Sequence, residues 1–300
     1  MPEWATFALS TVALTLSLLF LTRRSRRLLD RARIVDAHGE PVGGDRNAET
    51  RVAATDAAPV EPDARSTDPD ATPTDPDAPP AEIDADVDAP DESTDDRPVL
   101  TTRLLLANAA TSQTAGLAVL VAVAWWTAVP AAAFGVGGPH PTLGSPALAS
   151  LGTPGLVALG AAAGIALAAG NEAAARLGRR VGLAPSDRLR AAMAPGTPGE
   201  RALLFGVVLP VIAVFEEALF RGALVGAFAA GLALDPWLLA VGSSVAFGLG
   251  HGAQGRLGIV VTGALGLGLA GLFVVTGSLL VPVVAHYVVN AAEFAAHEGP

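Results

Sequence analysis

The 300-residue chain is 51% hydrophobic with positive mean hydropathy although one stretch is strongly acidic, so its apolar residues must gather in runs elsewhere, as in a membrane protein. Of the 29 Asp and Glu residues, 19 fall between Asp36 and Asp96, so the acidic excess behind the net charge of −10 lies in that stretch. Cysteine is absent, which excludes disulfides, Cys-ligated zinc and thiol catalysis, and no nucleic-acid partner is expected.

The first apolar run, 4–22, is followed by Arg23, Arg24, Arg26 and Arg27, with only Glu3 ahead of it. By the positive-inside rule its N-terminus faces out and the arginines face the cytoplasm. A cleaved signal peptide carries its charges before the apolar core and a small-residue site after it, so this run reads as a retained anchor, 1–27. Residues 28–98 then form an acidic region whose centre is rich in Asp, Pro, Ala and Thr and holds almost no large apolar side chains. Such a segment cannot bury enough surface to offset its ordering entropy, so it reads as a disordered, solvated linker; an acidic tether or docking tail is the functional alternative.

A membrane domain is expected over 99–300. Its apolar periodicity predicts helices over 115–136 and 147–170, then a polar, arginine-rich and therefore cytoplasmic stretch at 171–190. Thr197, Pro198 and Glu200 have the form of N-cap, first turn and capping-box acid, opening a helix that runs to about residue 223. Asp235-Pro236 marks a turn, and helices follow over 237–252, 257–275 and 279–294. The glycines between Gly248 and Gly277 would break a soluble helix; in a membrane bundle they permit close backbone approach.

Ionisable groups stand where they are costly. Glu216, Glu217 and Arg221 end an apolar run in which each costs on the order of 2.5–3.5 kcal/mol at bilayer depth. Glu217 and Arg221, four apart, share a helix face in the favourable order for an ion pair, while Glu216 is turned away by about 100° and can point into a cavity. His251 ends another apolar run with Phe247 one turn before it, and His286 and Asn290 share a face of the last helix. Singly, each such residue is as easily a hydrogen-bonded packing element. Together they form an acid–base set able to hydrolyse a peptide: Glu216 as base, His251 sharing the proton, and His286 with the Asn290 amide donating to an oxyanion without permanent charge. Glu216, His251 and His286 also make a three-ligand zinc set, ranked lower because no helix carries the H-E-x-x-H pairing.

Read as patterns, Glu216 to Arg221 is E-E-x-x-x-R, Phe247 to His251 is F-x-x-x-H, and His286 to Asn290 is H-x-x-x-N. In this order and on separate apolar segments, over 197–294, they resemble the three motifs of the CAAX-protease and bacteriocin-processing (CPBP) family of intramembrane proteases. The resemblance implies an all-α, polytopic helix bundle of about eight spans with the site in a cavity within the bilayer. It implies that Glu216 and His251 activate water, that His286 and Asn290 stabilise the oxyanion, and that Glu217 and Arg221 support the site. Members are commonly labelled metalloproteases, and eukaryotic relatives cut the last three residues from prenylated Cys-a-a-X proteins. The expected partners are membrane lipids and a membrane-embedded or lipid-modified peptide. The alternatives are a non-catalytic scaffold or immunity protein of the same fold, or a proton-coupled transporter, although no internal repeat supports the last. Gly242-Ser243-Ser244 is an incomplete serine site, and Asp235 lacks the second Asp of an aspartyl site. The all-arginine basic set with Ala, Val, Asp and Gly bias resembles that of a GC-rich, salt-adapted archaeon.

Overall fold

The computed structural model describes residues 1–29, 33–35, 99–138, 140–180, 182 and 188–296. Most of the acidic region falls outside them, as do His297 and Glu298. Contacts divide the chain into a unit of 1–42 and 98–300, described below, and a second unit of 43–97.

Helices dominate. They are α1 (Trp4–Leu29), α2 (Thr102–Trp126), α3 (Gly152–Arg180), α4 (Pro198–Leu232), α5 (Pro236–Gly250), α6 (Gly255–Thr276) and α7 (Leu280–Ala295), with short helical turns at Ala131–Phe134, Pro146–Ala149 and Arg188–Met193. Two three-residue strands, β1 (Arg33–Val35) and β2 (Val99–Thr101), pair in parallel. Five helices, α1 to α4 and α6 with the turn before it, are long and apolar enough to cross a bilayer, and the protein is a multi-pass membrane protein. The remaining two, α5 and α7, are apolar but shorter, so the described residues hold five full-length spans where about eight spans are implied by the family resemblance. Large apolar side chains such as Trp125, Ile165, Leu238 and Val260 project outward, as lipid-facing surfaces require.

Helix ends follow local chemistry. At the start of α2, the Thr101 hydroxyl accepts from Leu104 N at 3.3 Å. The helix stops at Trp126, where Ala128 turns to positive φ and Pro130 follows, ten residues short of the expected end. The third helix continues past its apolar run because Glu172 holds Arg176 and Arg179 at 2.7 and 3.1 Å, carrying the polar turn on as helix. Nothing breaks α4 until Ala233 becomes left-handed, well beyond residue 223. Within α4, π-helical turns occur at Leu204–Val208 and Ala218–Ala227; the first precedes Pro210, which cannot donate to the preceding turn and displaces the hydrogen-bond ladder.

Arginines mark one side of the bundle. They occupy the C-terminal ends of α1 (Arg23, Arg24) and α3 (Arg176, Arg179, Arg180) and the N-terminal ends of α2 (Arg103), α4 (Arg201) and α6 (Arg256). The described parts of the opposite connections, 127–138, 140–151, 233–235 and 277–279, hold none. The positive-inside rule predicts that this arginine face is cytoplasmic.

On the other face the connection from α2 to α3 folds back against the bundle. Leu279 N donates to Gly135 O (3.1 Å), and Gly144 N and Ser145 N donate to Val274 O and Val275 O (3.1 and 3.0 Å), fixing the turn into α7. His140 is buried at its centre, edge-on to Phe273. Its Nδ1 accepts from Thr142 N and Leu143 N, both at 3.1 Å, so the ring proton sits on Nε2 and donates to Ala133 O at 3.0 Å. Burial holds the His140 pKa below 6.5, against the smaller opposing effect of its bonds to Ala133 and Gly226. Stability from neutral His140 is therefore complete above an unfolded-state pKa of about 6.5 and is lost as pH falls toward the lower folded value, by at most about 1.4 kcal/mol per unit. Thermal scans of the purified protein from about pH 8 to pH 5 should show this loss, and His140→Gln should lower stability at the alkaline end and flatten the slope.

Helices α3 and α7 pack closely through Gly160 and Gly164. A Cβ on Gly160 would lie 2.7 Å from Val281 O and 2.9 Å from Val284 Cβ; on Gly164 it would lie 2.7 Å from both Ala285 O and Val288 Cβ. This small-xxx-small stripe sets the depth of α7 beside Ala285 and His286. Gly164→Val should therefore destabilise the protein by about 1–3 kcal/mol in thermal or denaturant unfolding, whereas Gly170→Ala, which meets nothing within 4 Å, should be silent.

Candidate active site

The central polar cluster is assembled by α4, with α5, α6 and α7 around it. The capping box opens α4: Thr197 Oγ1 accepts from Glu200 N and Glu200 Oε2 accepts from Thr197 N, each at 3.2 Å. Some five turns on, Glu217 and Arg221 are completely buried. One carboxylate oxygen, Glu217 Oε1, accepts from Arg221 Nη1 at 2.8 Å and from His286 Nδ1 on α7 at 2.7 Å. The Nη2 of Arg221 donates to Gly266 O on α6 at 2.8 Å, and the guanidinium lies over the Phe247 ring of α5 with its carbon 4.5 Å from the centroid. Glu217 and Arg221 thereby connect four helices through charge-assisted bonds and a cation–π contact.

Glu216 points the other way. Its side chain is 13% exposed, it lines a cavity of about 460 Å³, and its Oε2 stands 3.8 Å from His286 Nε2. That oxygen has no protein hydrogen-bond partner among the described residues. His251, His286 and Asn290 line the same cavity. At the C-cap of α5, His251 donates from Nδ1 to Phe247 O at 2.9 Å, which orients the ring and leaves Nε2 for the cavity. The four residues assigned from the sequence to water activation and oxyanion binding thus share one cavity, with Glu217 and Arg221 behind it.

One expectation changes. A neutral imidazole has one N–H, and His286 uses it on Glu217; donation from Nε2 therefore requires the doubly protonated ring, contrary to the uncharged donor expected from the sequence. Among the described residues no three His, Cys, Asp or Glu side chains form a group that could hold a metal. The Nδ1 bonds of His251 and His286 leave Nε2 as the nitrogen each ring presents.

The serines beside the second motif are packing groups, since Ser243 Oγ donates to Phe220 O and Ser244 Oγ to Ala240 O, both at 2.6 Å. Asp235 caps α5, accepting from Trp237 N and Leu238 N at 2.9 and 3.0 Å. Further polar residues line the cavity without having been singled out from the sequence: Asn171, Glu172 and Arg179 on α3, Arg190, and Glu293. Asn171 Nδ2 donates to Glu293 Oε1. Glu293 was detectable in principle, because it continues the face of His286 and Asn290 at helical spacing.

Residues 198–292 match the family described as Rce1-like type II CAAX prenyl endopeptidase, a stretch from the start of α4 through most of α7 that includes all three motifs. No curated protein and no solved structure matches the chain significantly.

Removing one partner of a buried ion pair strands the other charge, so Glu217→Leu should destabilise the protein by about 3–5 kcal/mol. Adding Arg221→Met should restore part of that loss, and a denaturant-unfolding cycle over both single variants and the double variant measures the coupling.

Proposed function

We propose, from the match of residues 198–292 to the Rce1-like type II CAAX prenyl endopeptidase family, that this protein is an intramembrane endopeptidase acting on lipid-modified Cys-a-a-X protein C-termini. The observation that carries the reading is the approach of Glu216 Oε2 to His286 Nε2, 3.8 Å apart in a cavity that His251 and Asn290 also line. A buried carboxylate oxygen without a hydrogen-bond partner among the described residues calls for water or substrate, and both are what hydrolysis requires.

In the mechanism we infer, Glu216 removes a proton from water as the oxygen adds to the scissile carbonyl carbon. Its partly buried position keeps this base close to the substrate and away from bulk solvent. His251, held by Phe247 O, shares the proton transfer through Nε2. The resulting oxyanion accepts from the Asn290 amide and from Nε2 of doubly protonated His286, whose charge is balanced by the Glu217 carboxylate. The C–N bond then breaks and the proton gathered by Glu216 passes to the leaving amine, so that water is divided between the two products. Positioned general bases contribute about 10²–10⁴-fold and single oxyanion donors about 10²–10³-fold. Glu217 and Arg221 are positioning residues in this scheme, since they face away from the cavity and act through His286 and the helix packing.

The prenyl group supplies a reason for an apolar setting: each buried CH₂ stabilises binding by about 0.8 kcal/mol, so such substrates partition into the bilayer and reach the site from within it. With the purified, reconstituted protein and a prenylated Cys-a-a-X peptide, mass spectrometry should find cleavage after the cysteine. Glu216→Gln should lower the rate at least about 100-fold with unchanged thermal stability, and a chelator should leave the wild-type rate intact. A folded wild-type protein that cleaves no prenylated peptide would move the assignment to a non-catalytic scaffold of the same family.

A further inference from the structure

The cavity is polar at two levels. Deep within it are Glu216 and His286; at its cytoplasmic mouth stand Glu172 and Arg179 near the end of α3, Arg190 on the short helix Arg188–Met193, and Glu293 near the end of α7. Arg179 and Arg190 are the arginines among the described residues that line it. They differ in setting. Arg179 is about half exposed and bonds to Glu172, which Arg176 also engages. Arg190 is less exposed and lies in electrostatic contact with Glu293, whose Oε1 is occupied by Asn171.

A Cys-a-a-X substrate cut after the cysteine leaves a tripeptide with a free α-carboxylate. At bilayer depth that charge is unfavourable, so it is drawn to a cation at the mouth. The distance fits. Glu293 lies seven positions beyond His286 on α7, about 10.5 Å along the helix axis, and three extended residues span about 10 Å. The rim at Glu293, where Arg190 also lines the cavity, is thus about one tripeptide length from His286 along α7. A guanidinium has five N–H donors in a planar fork that matches a carboxylate, so Arg190 can hold the substrate terminus while remaining beside Glu293.

We propose that Arg190 binds the free C-terminal carboxylate of the substrate and so sets cleavage three residues from the chain end. Glu293 and Asn171 orient it, and Arg179 adds positive potential at the rim. The proposal rests on the endopeptidase reading above and adds to it a residue that measures substrate length.

The test compares a prenylated Cys-a-a-X peptide bearing a free α-carboxylate with its C-terminal amide. The wild-type protein should show a KM at least tenfold lower for the acid, with similar kcat for both. In Arg190→Gln the KM for the acid should rise until the preference disappears, Arg190→Lys should keep part of it, and Arg256→Gln, which does not line the cavity, should keep all of it. Equal use of acid and amide by the wild-type protein, or an intact preference in Arg190→Gln, would overturn the proposal. A parallel arm measures binding of the unprenylated tripeptide, as acid and as amide, by thermophoresis. If no prenylated peptide is cut, the endopeptidase reading fails, and tripeptide binding still decides the role of Arg190: acid-selective binding lost in Arg190→Gln sustains carboxylate recognition, and equal or absent binding refutes it.

Discussion

One oxygen atom of Glu217 organises the centre of this protein. An ionised carboxylate in an apolar bundle is tolerated only when its charge is met by cations or strong donors, and Glu217 Oε1 is met by both Arg221 and His286. The arginine in turn uses a carbonyl of α6 and the face of an aromatic ring on α5. Four helices must keep their rotation and depth for these contacts to coexist. Moving any one would expose a buried charge to hydrocarbon, a cost greater than most packing contacts could offset. Glu216 inherits its place from this arrangement, because the residue beside a locked Glu217 is turned by about 100° and faces the opening.

The same arrangement explains why an imidazole can sit within hydrogen-bonding reach of one carboxylate and across a cavity from another. Glu217 determines which ring nitrogen carries the proton and where the ring points, and Nε2 is left as the group that faces Glu216. Orientation by a partner that is itself held rigidly is how preorganised polar sites avoid reorganisation during reaction. The glycine contacts of α3 contribute from outside the cluster, since they set how closely α7 approaches.

What could be read from the sequence was what is local. The capping box at Thr197 and Glu200 and the pairing of Glu217 with Arg221 join residues within four positions of each other, and the structure contains both. Helix periodicity also separated Glu216 from Glu217. Periodicity identifies a face, however, and not the atom that meets it. The bond from His286 to Glu217 joins residues 69 apart, and without it His286 was given an uncharged role. Arg190, Asn171 and Glu293 escaped notice because they come from three helices and converge only in the folded bundle. Helix ends were missed where charge pairs extended α3 and where a left-handed Ala128 cut α2 short. The glycines between Gly248 and Gly277 drew attention as packing sites, and Gly248 does meet Ile259 O; yet the Gly160 and Gly164 stripe on α3 passed unremarked, since its partner helix could not be known.

The family match covers residues 198–292, but the cavity extends beyond it. One wall is α3, with Asn171 and Arg179, and part of the rim is the short helix that carries Arg190; both precede residue 198. The matched motif residues and the polar groups of the opposite wall are thus encoded in separate stretches of chain. A substitution in that wall can reshape the cavity while the motifs stay untouched. What the cavity admits can therefore change independently of the groups at its floor.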